Sequence, residues 1–184
     1  LGTQYQGFLY AGLMIVENEP YLIEYNVRMG DPECQTILPK LKSDLFDIFY
    51  SCVTNNLNST NIEWHDDKSM CIVLCSKGYP DDFENNIEIQ NLNKINLKNN
   101  EYIFHAGTKI NNGAVKVIGG RILSVNTYCD SKQEAIDLAY ENIRKIKAFK
   151  DPELRDEDGS LVFFRSVSPF LISVKSSFVS FVLG

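Results

Sequence analysis

The 184-residue chain lacks an excess of positive charge: 18 Lys and Arg face 24 Asp and Glu, for a formal net charge of −6. That balance argues against broad binding to nucleic acid or to an anionic membrane and leaves room only for a local basic cluster. Zinc-type spacing is missing too. The five cysteines, Cys34, Cys52, Cys71, Cys75 and Cys129, form an odd, scattered set. Such a set suits a reducing compartment, here the cytoplasm, better than a disulfide framework. Cys71 and Cys75 lie in an apolar run that reads as a strand, where buried structural thiols are expected. No uncharged apolar run approaches the roughly 18–20 residues that a spanning helix needs. The apolar, serine-rich stretch 160–184 is interrupted by Arg165, Pro169 and Lys175, so no membrane anchor is expected. There is no internal repeat, no signal-peptide pattern and no initiator Met. With a strand pattern already running at residue 8, the sequence reads as a fragment.

What is present is ordinary for a soluble globular chain: 44% hydrophobic and 23% charged residues, in a length that suffices for one domain or two small ones. Residues 8–16 read as a strand, 17–20 as a polar turn and 21–26 as the returning arm of a hairpin. Residues 32–56 read as helical, with Ile37, Leu38, Leu41, Leu45, Ile48, Phe49 and Val53 at spacings of three and four. Pro39 should break this stretch, and Ser43-Asp44 should cap its second piece. Residues 55–67 are polar and Asn-rich, a loop or linker. Strands follow at 70–75, 87–89, 102–108, 114–118 and 121–128, with Asn111-Asn112-Gly113 as a hairpin turn. A final amphipathic helix spans 131–146, turning Ala135, Ile136, Leu138, Ala139, Ile143 and Ile146 inward. Strands followed by a packing helix predict a small α+β unit.

The most informative segment runs from Leu22 to Gln35. On a strand, side chains two apart share a face, so Glu24, Asn26 and Arg28 are expected in a row. A carboxylate and an amide oxygen are hard ligands suited to Mg²⁺. A guanidinium grips phosphate oxygens with paired hydrogen bonds. Gly30 permits a sharp turn, and Asp31-Pro32-Glu33 has the chemistry of a helix start, with Asp31 as N-cap acceptor. As a bare pattern, E-x-N-x-R also fits a solvated face of an antiparallel sheet.

Arg28-Met29-Gly30-Asp31-Pro32-Glu33-Cys34-Gln35 is followed or preceded, in consistent order, by five further motifs. These are Gly7-Phe8-Leu9-Tyr10-Ala11-Gly12-Leu13-Met14, Leu41-Lys42-Ser43-Asp44-Leu45, Ser76-Lys77-Gly78-Tyr79-Pro80, Phe104-His105-Ala106-Gly107-Thr108 and Gly119-Gly120-Arg121-Ile122-Leu123. Together they make the chain resemble the C-terminal part of the phosphoribosylamine–glycine ligase (glycinamide ribonucleotide synthetase) family of the ATP-grasp superfamily. The resemblance implies an α+β fold: residues 1–60 as the C-terminal part of an ATP-grasp domain of antiparallel strands plus helices, then 66–150 as a small α+β C-terminal domain. Residues 151–184 match no motif of the family and are expected to be an atypical tail of low order or loose strand-like packing. A rival reading has Phe163, Phe164 and the following valines complete the C-terminal sheet.

The activity so implied is ATP-dependent ligation of glycine to 5-phosphoribosylamine through a glycyl phosphate, giving glycinamide ribonucleotide, ADP and phosphate in de novo purine biosynthesis. By similarity, Glu24 and Asn26 are the Mg²⁺ or Mn²⁺ ligands, Arg28 contacts the transferring phosphate or acyl phosphate, and Asp31 helps to place the amine-bearing substrate. ATP is the co-substrate, and Met14 is a candidate adenine contact beside the plainer reading of a core methionine. Lys42 is open between a substrate-phosphate contact and a solvated helix lysine; His105 reads as a hydrogen-bonded structural histidine. Many ATP-grasp enzymes carry a further metal carboxylate on the preceding strand, where this chain has Tyr10-Ala11-Gly12 and no acid. The glycine-rich phosphate loop and the N-terminal substrate domain of the family do not occur in these 184 residues, so the isolated chain is expected to be inactive. The alternatives are another ATP-grasp carboxylate–amine ligase and a non-catalytic fragment that acts only as an interaction module.

Overall fold

The computed structural model describes residue 2, residues 5–146, and the backbone of residues 165–167, 170–175 and 178–183. The chain divides into two compact units, Leu1–Asp66 with Ser168–Gly184, and Asp67–Val167.

The first unit is built on a hairpin. β1 (Gly7–Val16) and β2 (Glu19–Asn26) are joined by Glu17 and Asn18, both at positive φ (51° and 68°). A two-residue turn of that conformation matches the right-handed twist of the strands it joins. The ladder runs Val16↔Glu19, Ile15↔Pro20, Met14↔Tyr21 and Leu13↔Leu22, then slips and resumes at Gly12↔Glu24, Ala11↔Tyr25 and Tyr10↔Asn26. Ile23 is the extra residue of this β-bulge. Pro20 is tolerated because β2 lies at the sheet edge. The other side of β1 pairs in parallel with β10 (Phe178–Leu183), and β10 pairs antiparallel with β9 (Phe170–Lys175), giving the order β2-β1-β10-β9. Both strands come from the stretch expected to be an atypical tail. Phe163 and Phe164 lie outside the described residues.

The expected long helical stretch is broken at Pro39. α1 (Glu33–Ile37) passes into a 3-10 turn over Leu38–Lys40, and α2 spans Leu45–Val53. Asp44 caps α2 as anticipated, its Oδ1 accepting from the Phe46 amide at 2.7 Å and the Asp47 amide at 3.4 Å. Asp31 does not cap α1. Pro32 holds the N-cap position without a side-chain cap bond, and the Asp31 carboxylate instead accepts from Gln35 Nε2 at 2.7 Å. Ile37, Ile48, Cys52 and Leu57 form a small core, flanked by Phe8, Met29, Leu41, Ile62 and Trp64. Leu57 and Trp64 come from the segment read as a linker, which therefore contributes to packing.

The second unit is a sheet of order β4-β7-β3-β8 with one helix against it. β3 (Lys68–Cys75) and β7 (Arg121–Cys129) pair antiparallel at its centre; β4 (Glu101–His105) flanks β7, and β8 (Arg165–Val167) flanks β3. β5 (Thr108–Asn111) and β6 (Ala114–Val117) form a separate hairpin, turned at Asn112-Gly113. The strand expected over 87–89 is reduced to a single bridge, Glu88↔Lys116, with the Ile89 amide bonded to the Val115 carbonyl. α3 (Lys132–Lys145) starts at Ser131, whose hydroxyl accepts from the Glu134 amide at 3.2 Å. It packs Ala135, Ala139 and Ile143 against Met70, Ile72, Leu74, Leu123 and Val125. Asn142, on the same face, is buried, and its Nδ2 donates to the buried carboxylate of Glu101 at 3.0 Å.

The motifs at 76–80, 104–108 and 119–123 converge at one corner of this unit. The Ser76 amide bonds to the Gly120 carbonyl at 2.7 Å, and Ser76 Oγ to the Gly119 carbonyl at 3.0 Å. A Cβ on Gly107 would stand 2.6 Å from the Arg121 carbonyl oxygen and 2.7 Å from Gly119 Cα, so the two backbones approach only because both residues are glycine. No helix among the described residues is long and apolar enough to cross a membrane.

Candidate metal and phosphate site

β2 brings Glu24 and Asn26 to one face of the hairpin, where Asn26 Nδ2 donates to Glu24 Oε1 at 2.8 Å. Opposite them on β1 stand Gly12 and Tyr10. A Cβ on Gly12 would meet Glu24 Cγ at 3.2 Å and Tyr10 Cε1 at 3.7 Å. The glycine therefore leaves the space into which the Glu24 side chain lies, and the Tyr10 ring walls its other side. Where an acid on β1 would project into this space, the chain offers only hydrogen.

β2 ends at Asn26, so strand alternation carries Glu24 and Asn26 but not Arg28. Arg28 lies in the following turn, exposed, with Nη1 donating to the Met29 carbonyl at 3.0 Å. Gly30 is buried, and the Glu33 carboxylate folds back over it, at the place a Cβ on Gly30 would occupy. The cis Asp31–Pro32 peptide joins this turn to α1. Tyr10 registers the surrounding charge. Burial pushes its hydroxyl pKa up, the Glu33 and Glu24 carboxylates push it the same way, and Arg28 opposes them. Both acids and the guanidinium thus act on one phenol. Burial, followed by the Asp31 charge, also raises the Cys34 thiol.

Met14 lies two positions beyond Gly12 on β1, in the same parity as Tyr10, and is 54% exposed. It is not part of the core of its unit. Asp31 is exposed and engaged by Gln35. Lys42 is exposed between the 3-10 turn and α2 rather than on a helix, its amide bonded to the Glu63 carbonyl at 2.9 Å. His105, exposed at the end of β4, pairs its Nδ1 with Thr108 Oγ1 at 2.9 Å. The structure thus gathers Glu24, Asn26 and Arg28 around Tyr10, with Glu33 added. Tyr10 and Glu33 escaped the sequence reading, although the parity of Tyr10 with Gly12 was available to find the first of them. Among the described residues no group of three or more His, Cys, Asp or Glu side chains is placed to hold a metal ion. The donors on this face are one carboxylate and one amide, hard oxygen ligands that fit Mg²⁺ or Mn²⁺.

Residues 69–157 match the family model for phosphoribosylglycinamide synthetase, C domain, and residues 1–34 match that for phosphoribosylglycinamide synthetase, ATP-grasp (A) domain. A phosphoribosylamine–glycine ligase from Fusobacterium nucleatum is 40% identical over 156 residues, covering 84% of this chain and 36% of that protein. The human trifunctional purine biosynthetic protein adenosine-3 is 36% identical over 184 residues, all of this chain and 18% of that protein. The crystal structure of phosphoribosylamine–glycine ligase from Thermotoga maritima superposes with a TM-score of 0.56 at 31% identity, over 73% of this chain and 32% of that one. The chain spans about a third of the length of the bacterial ligases it matches.

Proposed function

Since the chain belongs to the phosphoribosylglycinamide synthetase family, carrying its C domain and the end of its ATP-grasp domain, we propose that it is the metal-binding part of a phosphoribosylamine–glycine ligase. The reaction would join glycine to 5-phosphoribosylamine at the expense of ATP, through a glycyl phosphate, giving glycinamide ribonucleotide, ADP and phosphate for purine biosynthesis. The observation that carries this reading is the side-by-side placement of Glu24 and Asn26 on β2, with Arg28 in the next turn.

The chemical difficulty is charge. A carboxylate must approach a polyphosphate, and both are anionic. Glu24 and Asn26 would hold Mg²⁺ or Mn²⁺, which supplies charge neutralisation between the two when bound. Arg28 supplies a fixed planar fork for the transferring phosphate. Asp31, beside the turn, is assigned to the amine-bearing substrate, and Met14, on the Tyr10 side of β1, to the adenine. The reading assigns the enzyme to the cytoplasm, in keeping with five cysteines of which none is in a disulfide.

The test is ADP release by the complete polypeptide that carries this chain. It should depend on both glycine and phosphoribosylamine, and the 184 residues alone should give none. Arg28→Lys should lower turnover about a hundredfold, the scale of removing a well-placed transition-state donor. ADP release driven equally well by an unrelated carboxylic acid would instead favour another carboxylate–amine ligase. A complete polypeptide without ATP turnover would favour a non-catalytic interaction module.

A further inference from the structure

Tyr10 is 9% exposed, yet its hydroxyl has no hydrogen-bond partner among the described residues. The hydroxyl is not sealed from solvent either, since the buried side-chain polar atom without a partner among the described residues is Asn126 Oδ1, so an arriving ligand can reach it. Its position is not that of a core residue turned inward by default. It stands opposite Asn26 in the ladder and beside Glu24 across the gap at Gly12, so it belongs to the face that holds the oxygen ligands.

The donors on that face can be counted against their uses. Glu24 and Glu33, when ionised, only accept. Asn26 Nδ2 gives one of its two N–H groups to Glu24. Arg28 spends Nη1 on the Met29 carbonyl and keeps its other N–H groups. An anionic group arriving here therefore meets the remaining N–H groups of Arg28, the second N–H of Asn26 and the hydroxyl of Tyr10, the last being the one neutral hydroxyl among them. A tyrosine hydroxyl carries its proton at neutral pH and is a donor there.

We propose that Tyr10 is a substrate-positioning residue, whose hydroxyl donates a hydrogen bond to the carboxylate of the small amino acid that the site activates. This rests on the function proposed above and adds a residue to it. The division of labour is a neutral donor that orients the attacking carboxylate and a charged fork for the phosphate it attacks. A tyrosine suits the first task because it orients the carboxylate without the full ion pair that would hold the ground state too tightly.

Tyr10→Phe keeps the ring that walls Glu24 and removes only the hydroxyl. In the complete polypeptide, the KM for glycine should rise about tenfold, the usual scale of one hydrogen bond to a charged group. The KM for ATP and the Mg²⁺ concentration for half-maximal activity should move less than about twofold, within the scatter set by indirect effects. Glycine binding measured by calorimetry, with Mg²⁺ and a non-hydrolysable ATP analogue present, should weaken by the same factor as the KM. An unchanged glycine KM would overturn the proposal. A parallel rise in the ATP and Mg²⁺ constants would overturn it too, since Tyr10 would then act by holding Glu24 and Asn26. If the unsubstituted polypeptide activates a different carboxylic acid, the proposed function fails while Tyr10 is judged on the KM for that acid. A polypeptide without any ATP-dependent ligation overturns both.

Discussion

The two units bury their apolar side chains to very different degrees. Residues 67–146 close around a continuous core in which Met70, Ile72, Ile122, Leu123, Val125, Ala139 and Ile143 are essentially inaccessible. Residues 5–66 have a four-residue core around α2 and bury Tyr10 and Ala11 on β1, but expose Met14, Ile15, Val16, Tyr21, Leu22, Ile23, Tyr25 and Val27 along and just after the hairpin. On α2, Phe46, Phe49, Tyr50 and Val53 are exposed as well, with Phe46 stacked on Tyr50. Apolar surface on that scale is uncommon on a self-contained soluble domain. The contrast teaches that self-sufficiency and chemistry are separated here. The well-packed unit carries none of the candidate ligands, and the open one carries all of them.

The contrast can be broken most forcefully by paired truncations. Leu123→Ala, in the closed core, should cost about 3–5 kcal/mol, the range for a buried leucine. Leu22→Ala, half exposed on the hairpin, should cost less than about 0.5 kcal/mol in the isolated chain. Urea unfolding followed by circular dichroism reads both, and similar costs would erase the distinction. Next in size, Glu24→Gln in the complete polypeptide should lower turnover about 100- to 1,000-fold, equivalent to about 3–4 kcal/mol of transition-state stabilisation. Steady-state ADP release at saturating Mg²⁺ checks it, and near-normal turnover would remove Glu24 from the metal site.

A subtler test lies inside the closed unit. Asn142→Leu keeps the approximate volume but leaves the buried Glu101 carboxylate without its amide donor, which should cost about 2–3 kcal/mol. Denaturant midpoints decide it. The smallest effect concerns pH. Lys145 holds the Glu141 carboxyl below its usual pKa by a 2.8 Å hydrogen bond and its charge. A depressed carboxyl contributes stability above its unfolded pKa of about 4.3, and that contribution is lost as pH falls through the folded value. Because Glu141 is fully exposed, Lys145→Met should change thermal stability near pH 7 only slightly and the difference should vanish in acid. A large difference at neutral pH would show that Lys145 also matters through Asn142 Oδ1, which it meets at 3.2 Å.

Local pattern made much of the fold readable. The hairpin of β1 and β2, the break at Pro39, the Asp44 cap and the inward face of α3 all follow from rules that act within a few residues. That Glu24 and Asn26 share a face was readable for the same reason, since two positions apart on a strand is enough. What escaped depends on partners distant in sequence. Nothing near residue 142 announces that a buried Asn will answer Glu101 on β4. Nothing in residues 170–183 announces parallel pairing with β1, because a strand edge selects its partner by shape and not by a nearby turn. Asp31 misled for a local reason: its carboxylate had two available donors, the amides of α1 and the side chain of Gln35, and took the second. Glu33, read only as an acid favoured at a helix start, lies over Gly30 and influences Tyr10, which no spacing rule predicts.

The single extra residue at Ile23 has a consequence for how this region tolerates change in length. Between the turn and the bulge, the ladder of β2 runs in one phase; between the bulge and Asn26 it runs in the other. A residue gained or lost at the Glu17-Asn18 tip can be absorbed by a different loop, leaving Glu24 opposite Gly12. Loss of Ile23 would merge the two phases into one regular ladder, with Leu22 still opposite Leu13 and Glu24 still opposite Gly12, and would remove the extra twist that the bulge gives the strand. Length variation at the tip or at the bulge should therefore leave the candidate ligands facing Gly12 and Tyr10, whereas a change between Glu24 and Asn26 would part them onto opposite faces.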